Sequence, residues 1–531
     1  MYLRPDPLYA ARRSPVLADN AVATSHPLAA QAGLAMLARG GNAADAAVAA
    51  AAVLTVVEPT GNGLGSDAFC ILWDGARLHG LNASGASPAA WTPERFAGRD
   101  AMPFRGWESV TVPGAVSAWA ELAERFCAFD LETLLEPAVR YAAEGFTVTP
   151  MIGTLWQRGA EELGAQPGFA EAFMPGGRAP RPGERFRNPA QSESLRAIAE
   201  SGGRAFYEGA LAERIAEAAR ANGAALALED LAAHRAEWCG TISGPAGGDR
   251  LHEIPPNGQG IAALMALAML DHTGIADLGP DDPAAMHLQI EAIKLAFADL
   301  HAYVADGRQM TDPTVQALLD GAYLKERAAR IDPARAEVHG PGAPKNGGTV
   351  YLTAADASGM MVSFIQSNYA GFGSGAVVPG TGISLQNRGA GFTLERGHPN
   401  EVGPSKRPFH TIIPGFLMHE GAPVTSFGVM GGPMQAQGHV QMVLRTRLWG
   451  QDPQTAVDAP RWRFVSGRKV AVESALPRAT CAALSDLGHE IDVEEPDRAF
   501  GFGGAQIIER LPGGGYMAGS DPRKDGQAVG F

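Results

Sequence analysis

A glycine pair runs into a threonine that heads an apolar stretch, Gly347-Gly348-Thr349-Val350-Tyr351-Leu352. A threonine hydroxyl is a weak nucleophile unless a base takes its proton, and a threonine that begins a chain carries that base as its own α-amine. The amine titrates at about 7.7–8.0, close enough to neutrality for proton transfer. An internal threonine has no such amine, so this chemistry requires a cut between Gly348 and Thr349. Glycine before the bond clears side-chain bulk from the path of the Thr349 hydroxyl to the Gly348 carbonyl. The attack gives an ester that water hydrolyses. Taken alone, Gly-Gly-Thr reads simply as a turn entering a strand, so the remainder of the chain has to decide.

Two other constellations are weaker. The loop Thr60-Gly-Asn-Gly-Leu-Gly-Ser-Asp67 has the glycine content of a phosphate cradle. It lacks GxxxxGK[ST] and runs helix–loop–strand, so it reads as a loop that brings backbones together. His398, His410, His419 and His439 fall in one stretch without HExxH or HxH spacing and without an acidic ligand in register, so no metal site is expected there. No cofactor motif is recognised. Cys70, Cys127, Cys239 and Cys481 are scattered and predict neither a disulfide framework nor a zinc site.

The elements that must position Thr349 follow from pattern. With 46% hydrophobic and 19% charged residues, the chain reads as a globular protein. Its net charge of −14 gives no basic face for nucleic acid. Arg4, Asp6, Arg12 and Arg13 interrupt any apolar signal core, and the apolar run Ala43 to Val57 is too short to span a bilayer. A cytoplasmic protein with no nucleic-acid or membrane partner is the expectation. Asn42 is placed to cap an alanine-rich helix ending at Glu58-Pro59, followed by a strand from Ala68 to Trp73. From Val110 to Leu300 the periodicity is mainly helical, with segments at Glu121–Phe126, Leu134–Glu144, Ser192–Glu200, Ala210–Arg220, Ile261–Leu270 and Met286–Val304. Residues 332–348 are rich in turn formers and are expected to be exposed and mobile. Beyond them Thr349 opens a strand, Asp356 to Gly359 turns, and Met360 to Gln366 forms a second strand.

The motifs resemble those of the γ-glutamyltranspeptidase family over nearly the whole chain. Upstream matches are Gly40 to Ala46, Glu58 to Asp67 and Val112 to Ala115. Downstream, more specific ones are Thr349, Asp356 to Gly359, Gly373 to Gly375, Gly382 to Asn387, Gly403 to Pro408, Gly428 to Gly432, Asp458 to Arg461 and Gly519 to Arg523. The resemblance implies an α/β (α+β) N-terminal-nucleophile hydrolase with a four-layer αββα sandwich. It implies self-cleavage into a large subunit, residues 1–348, and a small subunit, residues 349–531, that stay together as one body. It further implies an acyl-enzyme on Thr349, an oxyanion hole from the amides of Gly431 and Gly432, and Ser367 as a second hydroxyl that bonds the nucleophile. Partners are then the two subunits of one precursor and a small-molecule amide. A dimer of such two-chain units is an assembly open to it. A member that kept the fold without cleaving would be a silent scaffold.

The substrate positions depart from the transpeptidase pattern. Ser84 stands where that family has an arginine for the glutamyl α-carboxylate, and Gly391 where it has an aspartate for the α-ammonium. Arg388 replaces a neutral amide, His410-Thr411 replaces a serine pair, and Asn368-Tyr369 covers a position usually held by asparagine. Both zwitterion hooks are lost and one carboxylate-seeking fork is gained. The expected acyl group therefore bears carboxylate without ammonium, unless Arg388 pairs with Glu395 or Asp67. Ser363 to Ser374 together with Arg388 to Phe392 is similar to the branch containing oxamate amidohydrolase. That points to hydrolysis of oxamate to oxalate and ammonia, with γ-glutamyl transfer or hydrolysis and glutaryl-type acylase activity as alternatives.

Overall fold

The computed structural model describes residues 13–339, 348–495 and 501–531. Residues 340–347, eight of the seventeen residues of the expected mobile linker, lie outside them.

Two seven-stranded sheets form the middle of the molecule. Their strands are β1 Val16–Ala18, β2 Ala21–Thr24, β3 Asp67–Trp73, β4 Leu78–Asn82, β5 Glu237–Trp238, β6 Ile242–Ala246, β7 Asp249–Glu253, β8 Gly348–Ala355, β9 Met361–Tyr369, β10 Gly415–His419, β11 Ala422–Met430, β12 Gly504–Arg510, β13 Tyr516–Ser520 and β14 Gln527–Gly530. One sheet has the order β1-β13-β12-β11-β10-β7-β6 and the other β14-β2-β8-β9-β3-β4-β5, with every neighbouring pair antiparallel. Both sheets contain strands from either side of Gly348–Thr349, so neither stretch owns a complete sheet.

The central strands of the second sheet are buried on both faces. On β9 every residue from Met361 to Tyr369 is buried, because one face meets the other sheet and the other meets helices. Between the sheets lie Phe69, Ile71, Tyr351, Ile365, Phe416 and Ile508. Contact there is close: a Cβ on Gly428 would sit 2.4 Å from the Tyr351 ring, and Ser363 Oγ donates to the Phe427 carbonyl across the gap at 3.2 Å. The outer faces are covered by helices on both sides, giving the αββα order.

The alanine-rich helix Ala43–Val57 is buried along its entire length. Alanine makes this feasible, since a helix without bulky side chains approaches sheet and neighbouring helix alike. A Cβ on Gly33 of the preceding helix would stand 2.9 Å from the Ala46 carbonyl. Its first turn is held from two directions. Asn42 Oδ1 accepts from the N–H groups of Ala44 and Asp45, and Asp45 Oδ2 accepts from the Asn42 N–H at 2.7 Å. Asp356, in the turn between β8 and β9, accepts from the Ala43 N–H at 2.7 Å. The reading of residues 110–300 as mainly helical passed over the β6–β7 hairpin, which pairs with β10, and the helix Pro150–Leu163. No helix among the described residues is long and apolar enough to cross a membrane.

Asn42→Ala removes the cap while leaving the helix composition favourable. Losing such a cap costs about 0.5–2 kcal/mol, so the thermal midpoint at fixed scan rate should fall by a few degrees. An unchanged midpoint would show that Asp356 holds this terminus unaided.

Candidate active site

Thr349 sits at an irregularity between two buried strands. Gly348 is opposite Tyr369 and Val350 is opposite Gln366, so Ser367 and Asn368 together face Thr349 alone. Such a bulge re-aims side chains and interrupts the ladder. Tyr369 closes it with φ 77°, a left-handed conformation uncommon for an aromatic residue. The Tyr369 N–H donates to Ser367 Oγ at 2.8 Å. That bond turns the serine hydroxyl toward Thr349, whose Oγ1 lies 3.2 Å from it. Both residues are fully buried. The glycine loop packs on this point: a Cβ on Gly61 would meet the Thr349 carbonyl at 3.2 Å, and one on Gly63 the Ser384 hydroxyl at 2.1 Å. Close backbone approach is what these glycines supply. Asn368, at the bulge, is turned into the same loop, accepting from Ser66 Oγ at 2.8 Å and donating to Ser384 Oγ at 3.4 Å.

Gly431 and Gly432 follow β11, with φ 120° and 61°. Their carbonyls accept from Met434 and Gln435 at the start of the helix Met434–Val443. Neither of their N–H groups donates to another described residue. Two adjacent amides left open in a buried turn are the components of an oxyanion site. Gln435, which the sequence reading missed, ties this turn to the threonine. Its Nε2 donates to Thr349 Oγ1 at 3.2 Å.

Arg388 opens the short 3-10 turn Arg388–Gly391 and is 1% exposed. Nη1 donates to Thr411 Oγ1 at 2.9 Å, and the guanidinium lies 4.8 Å from the Tyr369 ring centre. Nε and Nη2, the edge that grips a carboxylate side-on, are buried without a hydrogen-bond partner. No described carboxylate lies within ion-pair distance, so Arg388 forms no salt bridge with Glu395 or Asp67. Burial pushes the guanidinium down to about 10 against the pull of Asp67 and Tyr369, which leaves it charged at neutral pH.

Asp67 is the nearest counter-charge, and burial raises it to about 7 despite Arg388 and the amides of Gly85 and Gly114. It also faces His410, whose Nε2 is 3.1 Å from Oδ2. His410 Nδ1 accepts from the Ile412 N–H at 3.3 Å, so the Nε2 proton is the one given to Asp67. Burial, with Arg388 and Arg407 adding to it, drives the His410 pKa well down. Both ring nitrogens are thus engaged inside the protein. Ser84 is similarly occupied: Oγ donates to Asn82 at 2.7 Å and accepts from Asn257 at 3.2 Å. It borders a cleft of about 550 Å3 shared with Asn82, Glu237, Asp306 and Arg407, whose walls include neither Thr349 nor Arg388. The structure thus brings together Thr349, Ser367, Tyr369 and the Gly431-Gly432 turn, with Arg388 against Tyr369 and Thr411. Ser84 and His410 face protein partners instead.

The four histidines noted in the sequence stand apart, each with its own partner: Asn400, Asp67, Asp249 and Glu253. His287, Glu291 and His489 do converge in a buried group. Its carboxylate is already paired with a cation, Lys294 Nζ lying 2.6 Å from Glu291 Oε1.

The chain belongs to the γ-glutamyltranspeptidase family, whose profile matches residues 29–531, and it is an enzyme of the N-terminal-nucleophile hydrolase class. It is 39% identical to an oxamate amidohydrolase proenzyme of Klebsiella pneumoniae over 95% of this chain and 97% of that one. It is 36% identical to a glutathione hydrolase-like proenzyme of Bacillus subtilis, covering 96% and 98%. Among solved structures, a cephalosporin acylase from Bacillus halodurans superposes with a TM-score of 0.94 at 46% identity, covering 100% and 99%.

Gly391 tests the missing ammonium hook. A Cβ there would lie 2.5 Å from the Phe409 carbonyl, so the backbone would have to move to take any side chain. Gly391→Asp should lower the thermal midpoint and give no gain in γ-glutamyl anilide hydrolysis. A stable Gly391→Asp protein with raised γ-glutamyl activity would contradict this reading of the pocket.

Proposed function

We propose that this chain is a self-processing amidohydrolase that cleaves small linear amides whose acyl part carries a carboxylate and no ammonium, with oxamate the leading candidate. The observation that carries the substrate class is the buried, unpartnered Nε–Nη2 edge of Arg388. Burying that edge of the guanidinium with no anion bonded to it is costly, and a substrate carboxylate would offset that cost with two parallel charge-assisted bonds.

In processing, Thr349 Oγ1 adds to the Gly348 carbonyl carbon, the C–N bond breaks, and the proton leaving Oγ1 passes to the Thr349 nitrogen, which becomes the new α-amine. Water then hydrolyses the ester. In turnover, Oγ1 adds to the substrate carbonyl while the α-amine takes its proton. The Gly431 and Gly432 N–H groups receive the developing oxyanion. The proton passes to the leaving nitrogen, ammonia departs in the case of oxamate, and water releases the acid. One oxyanion donor is worth roughly 3–4 kcal/mol in such a step. Ser367 holds the hydroxyl, and Tyr369, Asn368 and Thr411 shape the site around Arg388. Ser84 and His410 act through the polar layer behind it.

A second reading is supported by the 46% identity to the cephalosporin acylase: the same fork would hold a longer carboxylated acyl chain. Comparing oxamate, succinamate, a glutaryl amide and a γ-glutamyl anilide with processed enzyme separates the two. Preference for the γ-glutamyl donor would defeat both.

Purified protein should separate into fragments 1–348 and 349–531, and Thr349→Ala should remain one chain. An uncut Thr349 protein that still hydrolyses amides would refute the mechanism. Arg388→Gln should process normally yet raise KM for anionic amides by roughly 10- to 150-fold, the equivalent of about 1.5–3 kcal/mol for a charge-assisted bond. Arg388→Lys should recover little of this, because a point charge lacks the planar fork. Unchanged kinetics in Arg388→Gln would make the arginine a structural element.

A further inference from the structure

Gln435 is fully buried at the start of the helix that follows the Gly431-Gly432 turn. Its side-chain amide has a defined orientation. The Ile413 backbone N–H, which can only donate, lies 3.0 Å from one end, so that end must be Oε1. The other end is then Nε2, and it faces Thr349 Oγ1 at 3.2 Å. A flipped amide would set its NH2 against the Ile413 N–H, donor against donor, and lose that bond. The amide is therefore a fixed donor aimed at the reacting oxygen.

We propose that Gln435 is a catalytic residue of both self-cleavage and turnover, donating a hydrogen bond to Thr349 Oγ1 as that oxygen gives up its proton. This rests on Thr349 being the nucleophile. A donor on Oγ1 occupies a lone pair, turns the hydroxyl proton away from the glutamine, and stabilises negative charge as the O–H bond breaks. It also stays in place when Oγ1 becomes the leaving oxygen of the ester, where the same bond favours C–O cleavage by water. No atom or proton is transferred to or from the glutamine. Gln259 adds rigidity from the upstream stretch: its Nε2 donates to the Gly432 carbonyl at 2.8 Å and to the Thr411 carbonyl. One amide thus links the oxyanion turn to the segment holding Arg388, while Gln435 links it to the nucleophile.

Two substitutions in the full-length chain test this. Gln435→Met has similar volume and no donor. Gln435→Glu keeps an acceptor for Ile413 in either protonation state, but donates to Thr349 only when protonated. Cleavage of freshly translated precursor is followed on gels between pH 5 and 9. This step involves no α-amine, because none exists before the cut. Gln435→Met should cleave roughly tenfold slower than wild type at every pH, as expected for one lost hydrogen bond. Gln435→Glu should be slow at high pH and regain rate relative to wild type as pH falls. In matured enzyme, Gln435→Met should lower kcat with KM within about twofold, the opposite of the Arg388→Gln pattern. Cleavage and kcat of Gln435→Met within twofold of wild type would overturn the proposal. So would a Gln435→Glu defect with the same ratio to wild type at all pH values, since that marks packing alone. If Gln435→Glu does not fold, the Gln435→Met rates decide. Wild type failing to expose Thr349 would instead defeat the nucleophile assignment on which this depends.

Discussion

The pairing of β8 between β2 and β9 is the constraint from which the rest of the site follows. A strand in that position is covered on both faces, and its first residues cannot choose their surroundings independently of the sheet. The ladder is regular from Val350 to Ala355 and breaks only at Thr349, where two residues of β9 face one. That single extra residue sets Ser367 Oγ against Thr349 Oγ1 and forces Tyr369 into its left-handed conformation. Tyr369 in turn lays its ring beside the Arg388 guanidinium. The proposed nucleophile and the proposed carboxylate fork are thus two consequences of one irregularity.

Because both sides of the Gly348–Thr349 bond contribute strands to both sheets, cutting that bond leaves the ladder of β8 from Val350 to Ala355 in place. The bond to be broken lies at the very start of β8, whose hydrogen bonds from Val350 onward run laterally to β9 and, from Leu352, to β2. Proposed subunits made this way would remain held by the sheets and by contacts such as Asp356 with the Ala43 N–H. Cleavage can then expose an α-amine while the buried surface around it persists. The polar side chains on Thr349 Oγ1, Ser367 and Gln435, are each fixed by a backbone donor, which suits a site that must hold geometry through two successive reactions.

Much of this was legible in the sequence. Asn42 and the alanine run specified a buried, capped helix, and Gly347-Gly348-Thr349 before an apolar strand marked the point where chemistry was to be sought. Arg388 stood out because it replaced a neutral residue in an otherwise matching motif, and its buried open edge gives that reading a physical basis. Other parts were not legible. The β6–β7 hairpin is short and lies among helices, so local periodicity did not reveal it. Gln435 is one glutamine in an ordinary helix, and its meaning depends on contacts with Ile413 and Thr349, both remote in sequence. Ser84 and His410 stand at family substrate positions in the sequence, and only the fold shows that Asn82, Asn257 and Asp67 already occupy their polar atoms.

The central claim is that acyl transfer passes through Thr349. Acid-quenching processed enzyme during turnover of a carboxylated amide, followed by peptide mass analysis, tests it most directly. The account predicts a peptide beginning at Thr349 that is heavier by the acyl group, with the added mass lost on mild alkaline treatment as expected of an ester. An acyl adduct on any other residue, or steady turnover with the Thr349 peptide unmodified under conditions where deacylation limits the rate, would contradict it.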